Sequence, residues 1–302
     1  HYNLGVAYQE TGRNLDALRQ YETVLKAEVQ HVNAMNNLGL VYSTLGEKDR
    51  AVDLFNKVIA LEPGNVKAHI NLGNVYLGNR QWDDAETIYR KAVTLDEKDI
   101  GPQLNLGVVY FQKGLFEEAR TQWDSILKAD QNNMRVLSVM ASAYLEKKMF
   151  DDAIGIFKKM VKVMPENGGL ANTLGYLLAD QNQELPLARN LVEKALLIDS
   201  PNRAAYLDSL AWISYRQGKL QEASHLQEKS IKIFRLIHES VSSEVHLHMG
   251  KIQEGLKNRD AAIEAYEEAI RSNSDPDIVK TASASLALLT QGKKPADSSE
   301  EE

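Results

Sequence analysis

Apolar residues recur at i, i+3, i+4 and i+7 through Asn37-Leu38-Gly39-Leu40-Val41-Tyr42, stop at Leu45-Gly46-Glu47, and resume with the same periodicity from Ala51 to Leu61. That pattern predicts a pair of helices of about 13 residues each, joined by a tight turn. It repeats along most of the chain. The prolines punctuate it: Pro63, Pro165, Pro201 and Pro276 close a unit or lie just past its end, and Pro102 and Pro186 stand where a helix begins.

A small residue within a Leu-Gly-x-x-Tyr core marks the period, at Gly5, Gly39, Gly73, Gly107, Ala141, Gly175, Ala211 and Gly250, with spacings of 34 five times, then 36 and 39. An alanine follows each at Ala17, Ala51, Ala85, Ala119, Ala153, Ala188, Ala223 and Ala262. Four residues beyond these stand Tyr21, Phe55, Tyr89, Trp123, Phe157, Val192, Gln227 and Tyr266. Small residues at fixed points let two helices approach closely, and the large side chains fill the space between them.

This pattern resembles the tetratricopeptide repeat (TPR), whose period is 34 residues. The resemblance implies an all-α fold: a right-handed α-solenoid of eight helix-turn-helix repeats over residues 1–275, the first cut at its N-terminus. Residues 276–290, with Ile278, Val279, Ala282, Leu286 and Leu289 at helical spacing, are expected to form a capping helix, and residues 291–302 a disordered acidic tail. Two departures stand out. Extra residues lie around Gln181 to Pro186, and the second helix after Ala211 is expected to run through Ile237, five residues beyond what the period allows.

In TPR proteins the first helices of successive repeats line a concave groove, and the residues six and two before the glycine and one and five after it share that face. Two before it stand Asn3, Asn37, Asn71 and Asn105, giving way to Val139, Thr173, Ser209 and His248. Four asparagines in register resemble the ladder in the TPR region of O-linked GlcNAc transferases. An amide offers both acceptor and donors, so it can hold a peptide backbone without regard to the side chain attached. The carboxylate clamp of TPR cochaperones is matched only in part, by Asn74, Asn105 and Arg135, with Ile70 and Val139 where basic residues belong. Farther along, Tyr176, Trp212 and Arg216 fall on the same stripe and are expected as a partly exposed hot spot or as packing against the next first helix. Trp82 and Trp123 fall between helices and are expected in the core.

Composition narrows the function. With 43% hydrophobic and 25% charged residues the chain is that of an ordered protein, and a formal net charge of −7 argues against a nucleic-acid partner. No run approaches the ~20 apolar residues of a membrane span. Zero cysteines exclude disulfides and thiolate chemistry and fit the cytoplasm and a bacterial periplasm alike. Segment 170–230 resembles bacterial TPR proteins in general. There is no phosphate loop and no metal motif. The acidic pairs Asp83-Asp84, Glu117-Glu118 and Asp151-Asp152 sit where second helices begin and are read as partners of the helix dipole, and His246 and His248, two apart, are expected at the surface. The leading reading is a non-enzymatic scaffold without cofactor or metal that binds a protein or peptide partner. Two others stand beside it: the substrate-selecting arm of a larger enzyme such as a glycosyltransferase, and a self-assembling homo-oligomer.

Overall fold

The computed structural model describes residues 1–199 and 201–290, and among these every regular element is an α-helix. The expected acidic tail lies outside the described residues. In chain order the helices are α1 (Tyr2–Glu10), α2 (Asn14–Ala27), α3 (Val32–Thr44), α4 (Lys48–Leu61), α5 (Val66–Gly78), α6 (Trp82–Leu95), α7 (Ile100–Gln112), α8 (Phe116–Ala129) and α9 (Met134–Glu146). They continue with α10 (Phe150–Val163), α11 (Gly168–Asp180), α12 (Leu185–Ile198), α13 (Arg203–Arg216), α14 (Leu220–Leu236), α15 (Ser243–Gly255), α16 (Arg259–Ser272) and α17 (Pro276–Thr290). Two compact units divide between Ala143 and Tyr144. Within each, consecutive helices pack as hairpins, α1 on α2, α3 on α4, α5 on α6 and α7 on α8 in one, and α11 on α12, α13 on α14 and α15 on α16 in the other. The fold is an all-α solenoid.

The two helices of a hairpin begin differently. Most first helices, α1 and α13 excepted, are capped by side chains: Asn65 accepts from the Ala68 amide at 3.0 Å, Asp99 from Gly101 at 2.8 Å and Asn167 from Leu170 at 3.0 Å. Second helices such as α6, α8 and α10 have no side-chain cap and carry the acidic pairs in their first turn, at the positive end of the dipole. The turn joining them passes through a left-handed residue, a glycine at Gly12, Gly46, Gly114 and Gly218 but Arg80, Lys148, Asn182 and Lys257 elsewhere.

Five of the hairpins are held closed by a ring laid on a glycine. A Cβ added to Gly5 would fall 2.7 Å from the Tyr21 ring, at Gly39 2.7 Å from Phe55, at Gly73 2.6 Å from Tyr89, at Gly107 2.3 Å from Trp123 and at Gly250 2.3 Å from Tyr266. All five aromatic side chains are 0% exposed. Burying each contributes on the order of 2–3 kcal/mol. Trp123 is in the core as expected, and its Nε1 donates to the Leu104 carbonyl at 3.1 Å, whereas Trp82, at the start of α6, is only half-buried.

Unit two departs from the period in α14, which has 17 residues where every other second helix has 14. It ends at Leu236, one residue short of the expected Ile237, and its added turn carries Phe234, Arg235 and Leu236. The last helix, α17, lays Ile278, Ala282, Leu286 and Leu289 against a cluster that includes Leu247 and Tyr266.

Gly107→Ala is expected to lower stability by about 1–3 kcal/mol through forced displacement of Trp123. Gly155→Ala, in α10, where an added Cβ meets nothing within 4 Å, is expected to raise it by about 0.5–1 kcal/mol through helix propensity. Urea unfolding of both variants beside the parent chain checks the opposed signs.

Candidate functional site

Asn37, Asn71 and Asn105 lie on α3, α5 and α7, two residues before the small residue of each core, and one turn of helix aims each at the preceding hairpin. The Asn37 Nδ2 donates to the hydroxyls of Tyr2 and Tyr21, both at 3.3 Å. Asn105 Nδ2 donates to the Tyr89 hydroxyl at 3.2 Å and to Asn74 Oδ1 at 3.0 Å, and the Tyr89 hydroxyl donates to the same Asn74 oxygen at 2.6 Å. Where the preceding hairpin presents Phe55, which has no hydroxyl, Asn71 donates instead to Asn36 Oδ1 at 3.1 Å. The amide nitrogens are therefore spent on joining hairpins. No described residue donates to the carbonyl oxygens of Asn37, Asn71 and Asn105, which stay available as acceptors. Burial pushes the Tyr21 and Tyr89 hydroxyls up, partly offset by the asparagine bond each receives, so both remain donors at neutral pH.

The structure brings Asn74 and Asn105 together and leaves the other two N-terminal candidates apart. Asn3 is exposed and makes no hydrogen bond to a described residue, and Arg135 is exposed on α9.

In the second unit the same face is built differently. Trp212 is 9% exposed and packs against the next first helix, one of the two arrangements expected, with the His248 ring against it at 4.3 Å and 18° and Tyr215 stacked at 4.9 Å on the same indole. Arg216 stays beside it, its guanidinium 5.7 Å from the ring centroid and its Nη2 donating to the Asp180 carbonyl at 3.2 Å. His246 and His248 are likewise buried, at 7% and 2% exposure, rather than at the surface. His248 reaches both oxygens of Asp208, at 3.0 and 3.2 Å, and Gln227 donates to the same carboxylate at 2.6 Å and to the Val245 carbonyl at 2.8 Å. The sign visible in the sequence was Gln227 itself, a polar residue in the slot that an aromatic fills elsewhere.

Beside this network is a cavity of about 240 Å³ on the first-helix face, lined by Asn172, Thr173 and Tyr176 of α11, Asp208 and Ser209 of α13, Glu244 of α15, and Phe234 from the added turn of α14. Tyr176 crosses it to donate to Glu244 at 2.6 Å. Asn172 Oδ1 is buried with no donor among the described residues. The lining is thus rich in acceptors and carries two carboxylates. Of these residues only Tyr176 was a candidate from sequence. Among the described residues no group of three or more His, Asp or Glu is placed to hold a metal ion, and no helix is long and apolar enough to cross a membrane.

Tetratricopeptide repeat models match residues 2–66, 45–93, 76–143, 203–240 and 243–276. The chain belongs to the tetratricopeptide repeat family. A PPR repeat model also matches residues 135–163. Among curated relatives, the TPR repeat-containing protein PA4667 of Pseudomonas aeruginosa is 37% identical over 87 residues, which is 29% of this chain and 14% of that protein. Among solved structures, yeast Tom70 aligns over 91% of this chain and 59% of its own with a TM-score of 0.54 at 19% identity, a likeness of fold. A TPR protein from Parabacteroides merdae aligns over 95% and 96% with a TM-score of 0.49 at 14% identity.

His246 and His248 are shifted in opposite directions. Burial alone would lower His248, but Asp208, then Glu244 and Asp180, more than reverse it and raise it above the ordinary 6.5. Burial lowers His246 below 6.5. Because the folded value of His248 is raised, the stabilisation it contributes is present below pH 6.5 and is lost as pH rises through that folded value. An NMR titration of the imidazole resonances is expected to show the two midpoints on opposite sides of 6.5, with the upper one falling to or below it in Asp208→Asn.

Proposed function

We propose that the chain is a non-enzymatic interaction scaffold that holds an extended segment of a partner protein along its first-helix face. The observation that carries this is the acceptor-lined cavity among α11, α13 and α15. Asp208, Glu244 and the unpartnered oxygen of Asn172 call for a donor-rich, positively charged group, so the preferred occupant is a lysine or arginine side chain of the partner. The aromatic bodies of Tyr176 and Phe234 suit the aliphatic stem of such a residue. In the N-terminal unit the open carbonyl oxygens of Asn37, Asn71 and Asn105 accept peptide N–H groups, which gives affinity without sequence choice. An acidic chain, at −7, draws a basic segment in by long-range attraction as well. Trp212, being stacked beneath His248, supports the floor of the site and does not anchor the partner directly.

Panning a random peptide library displayed on phage against the chain is expected to enrich Lys or Arg at one fixed place. Thr173→Trp, which fills the cavity mouth, is expected to weaken the recovered peptides by about tenfold or more, close to 1.4 kcal/mol. Glu244→Gln, which keeps an acceptor for Tyr176 but removes charge, is expected to erase the basic preference. Peptides with no basic residue in common, or ones indifferent to both substitutions, would refute this reading.

A further inference from the structure

The second face of the C-terminal unit holds a larger and less polar cavity, about 480 Å³, between α14 and α16 with α15 as its floor. It shares no lining residue with the cavity of the first-helix face. Its apolar walls are Ile231 and Leu236 of α14, Met249 of α15, and Ala261 and Ala265 of α16. The added turn of α14 makes it: a second helix of the usual 14 residues would end at Ile233, short of Arg235 and Leu236. Past the wall the apolar surface continues, with Leu236 67% and Ile237 47% exposed.

Three observations say what fits there. His246 lines the floor, is 7% exposed, and its ring makes no hydrogen bond to a described residue. Its ring nitrogens are not enclosed, so they can bond a ligand that enters the trough. Its lowered value, due first to burial, keeps the ring neutral at pH 7, one nitrogen donating and the other accepting. The rims carry opposite charge. On α14 stand Lys232 and Arg235, neither of them in an ion pair with a described residue, with Glu228 one turn before them. On α16 stand Glu264, also unpaired, and Glu268, which pairs with Arg271. An apolar trough between a basic and an acidic edge is complementary to a helix with an apolar stripe flanked by acidic residues on one side and basic residues on the other.

We infer that this trough is a second docking site, which takes an amphipathic helix of a partner protein with a Trp or Tyr anchor bonded to His246, acidic residues facing Lys232 and Arg235, and basic residues facing Glu264 and Glu268. The anchor supplies the hydrogen bond that His246 lacks and an apolar body for the cavity, which is the role large amphipathic side chains play at interface centres. The site does not depend on the first-helix face, so a partner can be held at both.

The test uses the full chain and a fluorescein-labelled 18-residue synthetic helix with a Leu stripe, one central Trp, Glu along one flank and Lys along the other. Anisotropy is expected to give micromolar binding, weakened tenfold or more by Ala261→Trp, which plugs the cavity from a half-buried position. The pair Lys232→Glu and Arg235→Glu, on exposed positions that leave the core untouched, is expected to weaken this peptide several-fold and to favour one with Lys on both flanks. Replacing the peptide Trp with Phe is expected to weaken binding to the parent chain and to make no difference in His246→Leu. Binding absent at millimolar peptide, or unchanged by Ala261→Trp and the charge reversal, overturns the inference. So does anilinonaphthalene sulfonate filling the cavity where the peptide does not, which would assign it to a small amphiphile. A dimer in sedimentation equilibrium that Ala261→Trp dissolves would assign it to a second copy and overturn the inference as well.

Discussion

The contact on which the rest depends is a second-helix aromatic ring pressed on the bare Cα of a first-helix glycine. With the ring at Tyr21, Phe55, Tyr89, Trp123 and Tyr266 wholly buried and no room for a Cβ opposite, the two helices of a hairpin have one separation and one register available. That register decides which residues of the first helix look outward. The ring also sends a signal to its neighbour: the hydroxyls of Tyr21 and Tyr89 receive the amides of Asn37 and Asn105 in the next hairpin. One side chain thus closes its own hairpin and positions the face of the following one. Phe55 tests the rule within the molecule, since it keeps the ring, lacks the hydroxyl, and leaves Asn71 to find Asn36.

In two hairpins of the C-terminal unit, α11 with α12 and α13 with α14, the rule lapses, and in the second of them polarity enters. Val192 replaces the ring against Gly175, and Gln227 replaces it in the hairpin of α13 and α14. Gln227 gives Asp208 a hydrogen bond that an aromatic could not, and Asp208 in turn holds His248 against Trp212. Removing one member of such a buried pair is expected to cost stability, because the other is left without its partner. The cavity beside it and the trough behind α14 both draw on the added turn of α14, through Phe234 on one side and Arg235 and Leu236 on the other.

The fold was legible because it rests on a period: small residue, alanine and ring recur at fixed offsets, and any chain with those offsets must pair its helices in the same way. The long α14 was legible for the same reason, as an excess over the period. The candidate site was legible only as a face. That Asn37 and Asn105 point their nitrogens inward depends on which ring stands in the preceding hairpin, a relation between residues 16 apart that no helical stripe displays. His248 was misplaced because its partner Asp208 lies 40 residues earlier, and Trp212 stood between two readings because its exposure is decided by that histidine. His246, two residues from His248, was read with it as a surface residue, and only the trough shows it as a largely buried residue whose ring opens on a cavity.

The central claim is that one second-helix tyrosine serves both its own hairpin and the face of the next. A double-mutant cycle in urea unfolding with Tyr89→Phe and Asn105→Ala tests it, since the phenylalanine keeps the ring on Gly73 and removes only the hydroxyl. The account predicts a coupling of about 1 kcal/mol between the two substitutions. Strict additivity would contradict it, because it would mean that the hydroxyl and the amide act on stability independently.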